Sequence, residues 1–105
     1  MLNVLNHRVM QEEVENMKPE LIEKELIPTL KFTNKAGVEQ SSDLMAKLIE
    51  ATTLGNLHHG KVAIIFEDDQ GLKQVETTIW CTGGDYICLK GGVWIPINRI
   101  RKVVF

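Results

Sequence analysis

The sequence predicts a mainly β fold: a small five-stranded antiparallel barrel with an N-terminal helical layer. Three observations carry this reading. Residues 61–105 break into short apolar segments separated by tight turn signals, the pattern of a meander. Both faces of that meander are apolar, so neither is left fully to water. Residues 1–56 show apolar side chains at helical spacing instead. The chain reads as a single domain of 105 residues, with 1–56 packing on a barrel formed by 61–105.

Residues 7–18 place Met10, Val14 and Met17 at helical spacing, with Asn6 as N-cap and acids near the positive end of the helix dipole. Pro19 stops this segment and starts a second helix running to about Leu26, which Pro28 ends. Residues 30–32 suggest a short extended piece, and 33–37 a turn. The clearest helix spans 42–54. Ser41 or Ser42 caps it, Asp43 sits in its first turn, and Gly55 or Asn56 ends it. Leu44, Met45, Leu48 and Ile49 form its apolar stripe, expected to pack against the sheet, with Lys47 and Glu50 outside.

Strands are expected over 61–67, 72–82, 86–90, 93–97 and 101–105. The turns between them are Asp68–Gly71, Gly84–Asp85, Gly91–Gly92 and a tight, 3₁₀-like turn through Pro96–Ile100. Counting from these turns pairs Ile64 with Val75, Val62 with Thr77, Trp80 with Leu89, Leu89 with Trp94, Cys81 with Cys88 and Cys88 with Ile95. One face then carries Val62, Ile64, Phe66, Val75, Ile79, Cys81, Cys88 and Ile95. The other carries Ala63, Ile65, Trp80, Ile87, Leu89 and Trp94. One face is the barrel interior and the other needs a cover: the 42–54 helix first, another subunit second, or a ligand. A one-residue slip exchanges these faces. Trp80, Leu89 and Trp94 are the candidate interface residues.

Composition bounds the function classes. Hydrophobic residues make up 44% and charged residues 25%, as in ordinary globular domains. No apolar run approaches a membrane span and no secretory start is visible, so the expected location is cytoplasmic, with no membrane partner. Net charge is −2 overall, −3 over residues 1–60 and +1 over 61–105. Beyond Asp85 there is no acid, while Lys90, Arg99, Arg101 and Lys102 remain. Positive charge of this kind attracts phosphate, and Tyr86, Trp80 or Trp94 offer stacking surfaces where exposed.

No nucleophile elbow, helical zinc motif or phosphate-binding glycine loop occurs, so the expectation is non-enzymatic, with no cofactor and no metal. His58 and His59 match no zinc spacing. The acids Glu67, Asp68 and Asp69 read as a solvated turn. Cys81 and Cys88 face each other as a hydrogen-bonded pair, with Cα atoms about 5.5 Å apart. That permits a disulfide, yet two buried free thiols are expected in a cytoplasmic chain, ahead of a bridge or a redox or metal role.

The segment 86–95 resembles the second Sm signature, with Lys90 and Gly91 at its Arg/Lys-Gly positions and a capped helix leading into the first strand. The closing segment 94–100 also resembles the P-x-N-x-V turn of Src-homology-type barrels, with Pro96, Asn98 and Ile100 in place. The resemblance covers roughly residues 42–105. The Sm likeness implies a bent five-stranded sheet, rings of homo- or hetero-oligomers formed by edge-strand pairing, and RNA binding around the pore. The mid-strand glycine and Asp/Asn pair of the first Sm signature have no counterpart in 72–86, so its base-binding residues transfer to no position here. The acidic-aromatic surface of the Src-homology family is likewise missing. The expectation is a small Sm-like binding module, a homo-oligomer. RNA or other nucleic acid would bind at a basic edge of Lys90, Gly91, Arg99, Arg101 and Lys102. The alternative is a protein-interaction or structural module without nucleic-acid affinity.

Overall fold

Residues 18–105 are described by a computed structural model. The strands are β1 (Glu20–Leu21), β2 (Val62–Asp68), β3 (Gly71–Thr77), β4 (Ile79–Thr82), β5 (Tyr86–Leu89), β6 (Val93–Pro96) and β7 (Ile100–Val104). One α-helix, α1, spans Leu44–His58, and 3₁₀ turns occupy Lys24–Thr29 and Ile97–Arg99. The mainly β class and the helix ahead of the long strands are as expected. The single five-stranded barrel is not: the strands form a four-stranded sheet, β1-β3-β2-β7, and a three-stranded sheet, β4-β5-β6.

The reason lies at Thr78. The expected strand over 72–82 is divided there into β3 and β4, one in each sheet. The Thr78 carbonyl accepts from the Lys90 amide at 3.0 Å, so the chain passes from one sheet to the other without orphaning that group. The core lies between the sheets and α1. Ile64, Phe66, Ile79, Ile87, Leu89, Ile95, Ile100 and Leu48 are all fully enclosed in it.

The β2–β3 register pairs Ile64 with Val75 and Val62 with Thr77, as counted from the turn. In the second sheet Cys81 faces Cys88, again as counted, but Ile79 takes the place expected for Trp80 opposite Leu89. Trp80 is the extra residue of a β-bulge. At the next turn Leu89 pairs with Val93 and Cys88 with Trp94, one residue off the expected pairing. The loop there holds three residues, Lys90, Gly91 and Gly92, with φ of +94° and +83° at the two glycines. Those left-handed values are where glycine has no Cβ penalty. These two shifts turn Ile87 and Leu89 into the core. Leu89 is therefore a core residue and not part of an exposed Trp80–Leu89–Trp94 face; Trp80 and Trp94 stay 44% and 54% exposed.

Helix α1 is longer than expected and Gly55 lies inside it. A Cβ on Gly55 would sit 2.5 Å from the Ile79 carbonyl oxygen and 2.7 Å from Thr78 Cγ2. The glycine is thus a contact surface, and His59 supplies the left-handed C-cap, its amide donating to the Gly55 carbonyl at 3.0 Å. No side chain caps the N-terminus. Leu44 and Leu48 face the sheet with Ala51 and Gly55, whereas Met45 and Ile49, expected in the same stripe, stay exposed. Thr52 and Thr82 join helix to sheet by a 2.7 Å hydroxyl hydrogen bond.

The helix expected over 7–18 lies, apart from Lys18, outside the described residues. The helix expected from Pro19 to Leu26 is replaced by β1 and a 3₁₀ turn containing Pro28. Tertiary contacts override the local pattern here. The Ile22 amide donates to the Gln74 carbonyl at 2.9 Å, and Ile22 and Ile27 enter the core while Leu21 and Leu26 do not. Lys73, buried in β3, lies 3.8 Å from the Glu20 carboxylate and 3.4 Å from the buried Asp68.

Candidate functional site

A cleft of about 510 Å³ opens between residues 32–40 and the β5–β6 hairpin. Its apolar walls are Phe32, Tyr86, Trp94, Pro96 and Ile97, and its polar lining is Asn34, Lys35, Gln40, Asp85, Asn98 and Arg99. Strand register explains the hairpin wall. Tyr86 pairs with Pro96 and Cys88 with Trp94, so these four side chains share the outer face of the sheet. Tyr86 and Trp94 are about half exposed there.

The opposite wall is an irregular segment held by specific hydrogen bonds. Phe32 anchors it, its ring centroid 6.1 Å from that of the buried Phe66. The Thr33 and Asn34 amides donate to Asp69 Oδ1 at 3.0 and 3.3 Å, and the Thr33 hydroxyl donates to Oδ2. At the other end Gln40 Nε2 donates to the Ile97 and Ile100 carbonyls at 2.8 and 2.9 Å. Between them the Val38 amide donates to the Asn98 carbonyl at 3.0 Å, and Asn98 Nδ2 to the Lys35 carbonyl at 3.2 Å. This segment is therefore tied to the sheets at both ends and in the middle.

The electrostatics are mixed. The Thr33 hydroxyl is the main cause holding the Asp69 carboxyl below its ordinary value of 3.8. Desolvation, the next largest effect, opposes this, and the Asn34 and Thr33 amides and the Arg99 charge add smaller lowering contributions. Arg99 is only 6% exposed, and its guanidinium donates to the Glu67 carbonyl at 3.1 Å and the Ala36 carbonyl at 2.7 Å. A second, more open cleft of about 520 Å³ lies beyond it, beside Glu67, Asp68 and Asp69. Two of its acids are already engaged: Asp68 accepts from the Gln70 and Gly71 amides, and Asp69 from Thr33.

The structure divides the residues expected at a basic edge. Lys90 and Gly91 lie on the β5–β6 turn, where a Cβ on Gly91 would be 3.6 Å from the Lys24 side chain. Arg101 and Lys102 lie on β7, and Lys102 is exposed. Arg99 is a buried support of the cleft, because its planar fork reaches backbone carbonyls on two other segments. Of the expected interface residues, Trp94 lines the cleft, Trp80 occupies the bulge, and Leu89 is in the core. Sequence reasoning missed Phe32, Asn34, Lys35 and Gln40 as site residues. They belong to an irregular stretch, and the signal that points to it is a lone aromatic followed by a polar run.

No helix among the described residues is long and apolar enough to cross a membrane. No family model, curated protein or solved structure matches this chain.

Proposed function

We propose that this chain is a cytoplasmic, non-enzymatic binding module, a relative of the Sm-like and Src-homology-type small barrels, whose cleft receives an extended segment of another protein. The observation that carries the reading is the half-exposed pair Tyr86 and Trp94 flanking Pro96, opposite the tethered Phe32 wall. Aromatic rings of this kind give large contact area at small entropic cost. The Asn34, Gln40 and Asn98 side chains and the Lys35 and Asp85 charges at the rim suit a peptide backbone with mixed side chains. The free thiols at Cys81 and Cys88 suit a reducing compartment.

Peptides selected from a random display library on the intact protein test this. Trp94→Ala and Tyr86→Ala are expected to weaken a selected peptide at least about tenfold, since interface aromatics commonly contribute 2 kcal/mol or more. The unfolding free energy should hold within about 0.5 kcal/mol, as for other surface changes. Selected peptides that bind both variants as tightly as the parent would refute the reading.

A second reading keeps nucleic acid as the partner, through Lys90 and Gly91 with Lys24, or through Arg101 and Lys102. The approach of Lys24 to the β5–β6 turn favours it. It requires oligonucleotide binding that weakens steeply with salt and is lost in Lys90→Glu with Arg101→Glu. The dispersed cations and the engagement of Arg99 with backbone carbonyls place it second.

A further inference from the structure

We infer that Cys81 and Cys88 form a reversible thiol–disulfide exchange site, with Cys81 as the attacking thiol and Cys88 as the resolving one. The two residues are direct cross-strand partners in β4 and β5. The Gly83 amide donates to the Tyr86 carbonyl at 2.9 Å, so alternation along the ladder makes Cys81–Cys88 a hydrogen-bonded pair as well. Cα atoms of such pairs lie about 5.5 Å apart, inside the range a disulfide spans. The side chains share the outer face of the sheet. Cβ atoms of a hydrogen-bonded pair stand about 5.5 Å apart against about 3.8 Å in a disulfide, so closure takes a side-chain rotation and a local approach of β4 to β5.

The two thiols differ in access. Cys81 is exposed, and its position next to the Trp80 bulge leaves it open to a reagent. Cys88 is 8% exposed and lies between Cys81 and Trp94 on neighbouring strands. Burial pushes the Cys88 thiol up, and the adjacent Cys81 adds to this. Cys88 therefore stays protonated while Cys81 meets the oxidant.

The co-reactant is a low-molecular-weight disulfide. The Cys81 thiolate, its proton given to solvent, attacks one sulfur of that disulfide. The new S–S bond forms as the old one breaks, and one small thiolate leaves with the electron pair. Cys88 then loses its proton and attacks Cys81 Sγ, expelling the second small thiolate. Two protein thiols become one disulfide, and the small disulfide is reduced to two thiols. Excess small thiol drives the same steps backward.

The test treats the full chain with oxidised glutathione at neutral pH and follows intact mass and alkylatable thiols. The parent is expected to lose two hydrogens and both free thiols while remaining without intermolecular bridges, and dithiothreitol restores it. Cys88→Ser should stop at a single glutathione adduct on Cys81, and Cys81→Ser should leave Cys88 unmodified. Trp94 sits opposite Cys88, so closure should also change indole fluorescence, and Trp94→Phe should remove most of that change. In the unmutated protein, pulse alkylation should label Cys81 at least about tenfold faster than Cys88. A parent that halts at the adduct, or equal labelling of the two thiols, overturns the assignment.

Discussion

Gly55 shows how a single residue is misread when its neighbours are distant in sequence. Near the end of an apolar stripe, glycine signals a helix stop. Here it lies in the last turn of α1, where replacing it with alanine would gain up to about 1 kcal/mol of helix propensity. The added Cβ would meet the Ile79 carbonyl at 2.5 Å, a backbone group that has no freedom to rotate away. Overpacking costs typically 1–3 kcal/mol, so the clash wins. Gly55→Ala is expected to destabilise the fold by up to about 2 kcal/mol, read as a lower urea midpoint at unchanged slope. An equal or higher midpoint would show that α1 does not press on β4 in this way.

Asp69 is the residue that ties the cleft to pH. Its folded-state value is depressed, chiefly by the Thr33 hydroxyl. Its contribution is therefore complete above its ordinary carboxylate value of 3.8 and is lost as pH falls through the lowered one. Acid should release the Thr33 and Asn34 amides before the core unfolds. Their NMR shifts are expected to titrate with a midpoint below 3.8, and Asp69→Asn should abolish that titration. A midpoint at or above the ordinary value would contradict the tether.

At the scale of elements, the β2–β3 register was legible, though not the end of β3 at Thr77, because a four-residue polar turn and alternating apolar residues leave one register that buries Val62, Ile64 and Phe66 together. The β5–β6 pair was legible as a hairpin but not in register. A Gly-Gly pair reads equally as a two-residue turn or as part of a three-residue one, and the second arrangement sends Ile87 and Leu89 inward. The bulge at Trp80 has no local signature either; it matches β4 to β5 where the chain changes sheets. Helix α1 was legible in existence and only half in face, since Met45 and Ile49 are as apolar as Leu44 and Leu48. Residues 31–40 carry no periodicity. Their placement comes from hydrogen bonds to Asp69, Asn98 and Arg99, partners 35 to 63 positions away in sequence.

For the whole molecule, the mainly β class and its leading helix could be read from patterning, while the division into two sheets depends on one strand break at Thr78. The cleft was the least legible feature, because its two walls come from opposite ends of the described chain and neither carries a chemical motif. At this scale we propose, from the Sm resemblance, that the chain self-associates. Among the described residues, β7 is an edge strand ending in the exposed Val104 and Phe105, a template for pairing with a second copy. Light scattering over a concentration series is expected to show assembly that Val104→Lys with Phe105→Lys abolishes. A concentration-independent monomer would remove self-association from the proposal and leave the cleft untouched.

The cleft itself is the central claim, and NMR shift mapping with a selected peptide tests it most directly. The account predicts that the largest changes fall on the Trp94 indole, the Tyr86 and Asn34 amides, and the Gln40 and Asn98 side-chain amides. Changes centred on Lys90, Arg101 and Lys102, with the Trp94 indole unmoved, would contradict it.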